Sequence, residues 1–152
     1  MNVSHTNIEL ANAADLPEVA SFYEKVGYSG GVCFNDRILV SRKEQTIVAA
    51  VRLCEEENTL VLRGMYVAEK LRGKGLGHLL LERASSEIGR AECWCVPYDH
   101  LTNFYSRADF ILCDEAATPD FLLARLKKYT SNGQSVVVMM RPARNQRSER
   151  MK

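Results

Sequence analysis

Six residues in the middle of the chain, Arg72-Gly73-Lys74-Gly75-Leu76-Gly77, set three glycines and two cations just ahead of a leucine-rich run. That combination suits an anion. A helix N-terminus presents unpaired N–H groups and about half a positive charge, which makes it a natural seat for phosphate. At Gly73, Gly75 and Gly77 no Cβ blocks the approach, so consecutive amides through Leu76 to His78 can wrap a pyrophosphate, with Arg72 and Lys74 adding charge. The competing reading is a turn whose glycines merely let the helix pack tightly on its strand. Three glycines and two cations at one strand-to-helix junction favour the anion. Two better-known phosphate loops fail on spacing. The nucleoside-triphosphate loop needs Ser or Thr after Gly-Lys to ligate magnesium, and Lys74 is followed by Gly75. The dinucleotide fingerprint needs a further glycine where His78 or Leu80 stands, depending on which pair is counted.

The elements that must position this turn can be read on either side of it. Ile8 to Leu10 is a short strand, and Asp15 with Glu18 forms a capping box opening a helix whose apolar positions are Leu16, Val19, Ala20, Tyr23 and Val26. Gly27 ends it. "RILVSR" (37–42) and "TIVAAVRLC" (46–54) read as antiparallel strands, the run Glu55 to Asn58 as a solvated turn, and "LVLRGMYV" (60–67) as a strand interrupted by Gly64. From Gly75 to Gly89 the pattern is helical, with Leu76, Leu79, Leu80, Ala84 and Ile88 on one stripe. "ECWCV" (92–96) is a strand closed by Pro97. Asp99 caps a helix with Leu101, Phe104, Tyr105 and Ala108 on its inner stripe. "DFILC" (109–113) is a strand, Thr118-Pro119 opens a last helix, and Asn132-Gly133 breaks it before "SVVVMM". That final apolar run suits a strand covered on both faces or engaged by a second subunit in a homodimer.

Composition bounds the partners. At 152 residues the chain matches one domain over 1–141, followed by a basic tail, 142–152, read as disordered. A formal charge of +1 gives no general pull toward nucleic acid or anionic lipid. "MNVSHTNIEL" lacks the basic start and apolar core of a signal peptide, and no apolar run reaches membrane-spanning length. A soluble, cytoplasmic protein is expected. Its five cysteines contain no C-x-x-C pair, so they fit neither a disulfide framework nor a zinc site. Cys93 and Cys95 flank Trp94 on one strand and share a face as small core residues.

The pattern Arg72-x-x-Gly75-x-Gly77, preceded by "MYV" on a strand, resembles the GNAT acetyltransferase superfamily. "FYSRADF" (104–110) is similar to that family's second signature, an aromatic-tyrosine pair closing a helix and followed by Gly-Phe. The resemblance spans residues 8 to 140. It implies an α/β (α+β) fold: a mixed, mostly antiparallel sheet flanked by helices, with a splay between the fourth and fifth strands. It also implies acetyl-CoA as acyl donor, its pyrophosphate on the turn from Arg72 to His78 and its pantetheine arm against Met65, Tyr66 and Val67. Asp109 replaces the family's glycine, Tyr98 replaces an asparagine often found seven residues before the tyrosine, and "YSGGVCFNDR" leaves a short acceptor wall. Tyr23, Tyr28 and Phe34 lie near that wall.

The chemistry implied is transfer of acetyl to a primary amine by direct attack. An amine of pKa about 10.4 must give up roughly 4.6 kcal/mol to be neutral at pH 7, so a proton acceptor is needed. The departing thiolate needs a hydrogen bond or proton, and the Tyr105 hydroxyl is placed to supply it. "LVLRGMYV" lacks the carboxylate that many family members carry on this strand. Glu92, His100 or a water chain remain as bases. No metal is called for, because amides and cations already neutralise a pyrophosphate. Gly64 fits a β-bulge that helps the strands splay, or relief of crowding beside Trp94. The acceptor is left open between a small amine and a peptide end. A silent coenzyme-binding regulatory module is the alternative function.

Overall fold

The computed structural model describes residues 7–33 and 35–144. Phe34 and the tail from residue 145 on therefore lie outside the described residues. Asp15 is the N-cap of the first helix, as expected, but its side chain makes no capping bond there and the capping box forms upstream, ahead of a 3-10 turn. Asn12 accepts from the Ala14 amide at 2.9 Å, and Asp15 accepts from the Asn12 amide at 2.9 Å, so the box sits three residues upstream. One 3-10 turn, Ala13–Asp15, then leads into α1, Leu16–Val26. Glu18, freed from capping, accepts from Arg42 at 2.8 Å. Gly27 ends α1 in the left-handed conformation, as expected.

Strands β1 (Asn7–Leu10), β2 (Arg37–Lys43), β3 (Thr46–Glu56) and β4 (Thr59–Val67) form an antiparallel meander. Its two tight turns place Glu44-Gln45 and Glu57-Asn58 at positive φ, which matches the right-handed twist of the strands they join. Then follow α2 (Leu76–Ile88), β5 (Cys93–Cys95), α3 (Thr102–Ser106), β6 (Ile111–Leu112), α4 (Asp120–Ser131) and β7 (Met139–Arg141). The seven strands stand in the order β1-β2-β3-β4-β5-β7-β6. Only β4 and β5 are parallel among these neighbours, and they meet at one register pair, Val61 with Trp94.

Several expected elements are shorter or shifted, each for a local reason. "SVVVMM" is strand only at its end, because Val137 stands opposite Pro97, which has no N–H to continue the ladder. The sheet neighbours of β7 are β5 and β6 of the same chain. "DFILC" yields two strand residues, since Asp109 turns the chain at φ 69 before pairing can begin. Thr118 donates its hydroxyl to the Asp114 carbonyl at 2.7 Å, and Pro119 takes the cap position of α4. Asp99 does not cap; a 3-10 turn, Asp99–Leu101, precedes α3. On α2, Leu79 is 38% exposed and Leu81 is buried in its place.

The sheet separates the core. One face packs Leu39, Val51, Leu53 and Leu62 against Leu76, Leu80 and Ala84 of α2, and against Tyr105 and Phe110. Cys93 and Cys95 belong to this cluster, as their shared face requires. On the other face α1 covers Ile38, Val40 and Ala50, while Leu122 of α4 covers Val61 and Trp94. A bulge in β3 at Val48 carries Ile47 to the α1 side, against simple alternation. Among the described residues no helix is long and apolar enough to cross a membrane.

Candidate active site

The turn between β4 and α2 is built for exposed amides. Arg72 is extended, and Gly73 and Gly75 both adopt left-handed backbone, at φ 78 and 88. A Cβ added to either glycine would meet nothing within 4 Å. Backbone conformation, rather than tight packing, is therefore what requires glycine here. No side chain caps α2, and its first internal bond runs from the Leu79 amide to the Gly75 carbonyl at 3.2 Å. The amides of Leu76, Gly77 and His78 consequently have no partner within the helix. Arg72 donates through Nε to the Val67 carbonyl at 2.9 Å, which orients the guanidinium along the turn.

Beside the turn the sheet opens. Ala50 pairs with Tyr66, and Arg52 with Arg63, so Val51 faces two residues, Gly64 and Met65. This is the expected bulge, with Gly64 at φ 64. Its neighbours are not Trp94: the Tyr23 hydroxyl donates to the Gly64 carbonyl at 2.8 Å, and an added Cβ would lie 2.8 Å from that hydroxyl and 3.0 Å from the Tyr28 ring. β4 and β5 part beyond their one pair at Val61 and Trp94, and the bulge at Gly64 and Met65 lies on β4 where they do. A cleft of about 1010 Å³ fills the gap.

Of the residues named from sequence, Met65, Tyr66, Val67, Arg72, Gly73, Gly75, Gly77, His78 and Tyr105 line this cleft. Lys74 is exposed outside the lining, and the Leu76 side chain is buried in the core, leaving only its amide for the turn. One acceptor position of Val67 is already used by Arg72. Tyr105 is 5% exposed, and its hydroxyl has no hydrogen-bond partner among the described residues. Burial first, then Cys95 and Tyr66, hold its pKa far above the ordinary phenol value. His100 lies at the cleft, stacked on Tyr98 with ring centroids 5.7 Å apart. Glu92 is exposed and does not line it.

The cleft has a wall that sequence reading did not assign. Arg125, Lys128, Tyr129 and Asn132 face it from α4 and its cap at spacings of three, four and seven, a polar helical stripe that was legible in principle. Arg63 and Tyr28 face it from β4 and the segment after α1. Tyr28 is fixed by Arg52, whose Nη1 donates to the Tyr28 hydroxyl at 2.6 Å while its Nε bonds Asp36 at 2.8 Å. Arg52, a charge inside the apolar run "TIVAAVRLC", was the signal for this buried pair. Among the thiols, Cys95 lines the cleft but burial raises its pKa well above the ordinary thiol value, and burial pushes Cys93 up to about 12.

These features define a class: an α/β protein whose sheet splits between two parallel strands, with an amide-rich turn at the mouth of the split. The sequence of residues 34–112 matches the family model described as acetyltransferase (GNAT) domain, just over half of the chain. The chain belongs to the GNAT acetyltransferase family, whose acyl donor is acetyl-CoA. No curated protein sequence matches. Among solved structures it resembles an acyl-CoA N-acyltransferase from Pseudomonas aeruginosa, at 19% identity and TM-score 0.67 over 90% of this chain and 99% of that one. Escherichia coli ElaA is similar at 18% identity and TM-score 0.68, over 90% and 99%. N-acetylglutamate synthase from Neisseria gonorrhoeae, complexed with coenzyme A and N-acetyl-glutamate, matches at 16% identity and TM-score 0.67, over 92% of this chain. This chain spans about a third of the synthase, 35%.

Proposed function

We propose that this protein is an N-acetyltransferase that moves acetyl from acetyl-CoA to a primary amine by direct attack. The observation that carries it is the β4–β5 split, which has unpaired amides and Arg72 at one end and the Tyr105 hydroxyl within it. The amides of Leu76, Gly77 and His78, with Arg72, would hold the pyrophosphate, and the exposed edge at Met65 and Tyr66 would receive the pantetheine arm. When bound, acetyl-CoA supplies an activated thioester. Tyr105 holds a proton where the leaving sulfur needs one, and its raised pKa keeps that proton on the hydroxyl at neutral pH. The amine's proton goes to water or to His100 at the cleft mouth; Glu92 stands outside. Protonated, buried thiols at Cys93 and Cys95 speak against a covalent acyl-cysteine route.

One observation favours the second reading, a silent coenzyme-binding module: among the described residues no carboxylate lines the cleft. Two measurements separate these. Calorimetry of coenzyme A against Gly75→Asp and Gly75→Asn compares two residues that tolerate the left-handed backbone and differ by a charge. Affinity should fall much further in the Asp variant; equal affinities in both folded variants would remove the turn from coenzyme binding. A mass-spectrometric screen of amines, amino acids and peptides then tests transfer. Coenzyme binding with no acetylated product would leave the module.

A further inference from the structure

Among the described residues the charged groups lining the cleft are Arg63, Arg72, Arg125 and Lys128, with no aspartate or glutamate. Arg72 stands at the amide turn on the α2 side. The other three gather on the opposite wall, at β4 and α4. Glu56, which is outside the cleft lining, accepts from Arg125 at 2.8 and 3.1 Å and from Arg63 at 3.4 Å, so one carboxylate serves two guanidinium groups. Lys128, one turn along α4 from Arg125, has no acidic partner among the described residues. The wall thus carries an excess of about two positive charges. The C-terminal end of α4 offsets about half a charge, which is not enough to cancel it. Arg63 and Arg125 are each only 18% exposed at the side chain, where desolvation makes an unmatched charge more demanding than at the open surface. Tyr28 and Tyr129 add hydroxyl groups on the same wall.

We infer that the acceptor is an amine that carries its own acidic group, a carboxylate or a phosphate, which this wall engages while the amine faces the split. The inference rests on the transferase reading above. It follows from charge on both sides: the wall attracts an anion, and the described residues of the cleft offer no carboxylate to hold a second ammonium. Polyamines should accordingly be poor acceptors.

Calorimetry on the full chain loaded with coenzyme A tests the wall without requiring turnover. Matched product-like pairs are N-acetylglycine with N-acetylglycinamide, and N-acetyl-O-phosphoethanolamine with N-acetylethanolamine. In at least one pair the anion should bind about tenfold or more tighter than its neutral partner, and the pair that shows it names the acidic group. Lys128→Gln, at an exposed site, should remove most of that preference, Lys128→Arg should keep it, and coenzyme affinity should stay constant in both. Equal or undetectable binding across both pairs overturns the inference. So does a loss of coenzyme affinity in Lys128→Gln, which would assign the wall to the coenzyme's own phosphates. Should no amine be acetylated while the anion preference persists, the transferase reading falls and the anion site stands.

Discussion

At the scale of single residues the proposed transfer needs a hydroxyl that keeps its proton. Burial favours the neutral phenol of Tyr105, so its pKa moves up and it remains a donor throughout the neutral range. Tyr105→Phe removes one oxygen and keeps the ring that packs edge-on against Phe104 and Phe110. Turnover should fall by about 10² to 10⁴, with coenzyme affinity unchanged, which assigns the loss to the transition state. Because the hydroxyl does not ionise below the ordinary phenol value of about 10, the ratio of wild-type to variant rates should stay flat from about pH 6 to 9. A ratio that collapses with rising pH would show a group that titrates, contrary to its burial. The same shift has a stability consequence with a fixed sign. The folded state holds this proton more tightly than the unfolded chain, so stability is complete below about pH 10 and declines as pH rises beyond it. Denaturation midpoints measured on the alkaline side should drop less in Tyr105→Phe than in wild type.

At the scale of elements, one glycine sits at the bulge where β4 leaves β5. Gly64 combines positive φ with two tyrosine rings packed where a Cβ would go. Gly64→Ala should therefore destabilise the protein by roughly 1–3 kcal/mol in urea unfolding, through strain and overpacking. It should also weaken coenzyme binding, since relief of the clash moves β4 at the bulge; an unaltered affinity would show that the split does not need it. The bulge, the amide turn and the strand-helix order were all legible from sequence because each rests on local chemistry: a glycine inside a strand, glycines ahead of a helix, alternating apolar residues. Errors arose where two local signals competed. Asn12 and Asp15 both suit an N-cap and each has an acidic residue three on; Asp15 is the cap residue of α1, but the side-chain box forms at Asn12, ahead of the 3-10 turn. "SVVVMM" has strong strand propensity, yet Pro97 across from it denied the ladder a donor.

At the scale of the whole molecule the charge balance of the proposed acceptor wall depends on contacts that no local pattern carries. Glu56 and Arg125 are 69 residues apart in the chain, and Arg52 stands 24 from Tyr28 and 16 from Asp36. Sequence supplied the residues and the α4 stripe but not the pairing of Arg63 and the distant Arg125 with Glu56, whereas the amide turn is local throughout. Arg52 and Asp36 are nearly inaccessible, with side chains 3% and 4% exposed. Asp36 also accepts from the Cys33 amide at 3.0 Å, and Arg52 reaches the Gly30 carbonyl at 3.4 Å, so the pair fastens the segment after α1 to β3. Removing one partner strands the other charge. Asp36→Asn should destabilise the fold by about 3–5 kcal/mol, and replacing Arg52 by Met as well should recover a substantial part by removing the orphaned guanidinium. The two variants should diverge in the cleft. Tyr28 loses its bond from Arg52 only in the double variant, so that protein should regain stability without regaining wild-type KM for the acceptor. Equal stability in both variants, measured by urea unfolding, would mean that Arg52 is not held as a buried charge and that the Tyr28 segment is fixed by packing alone.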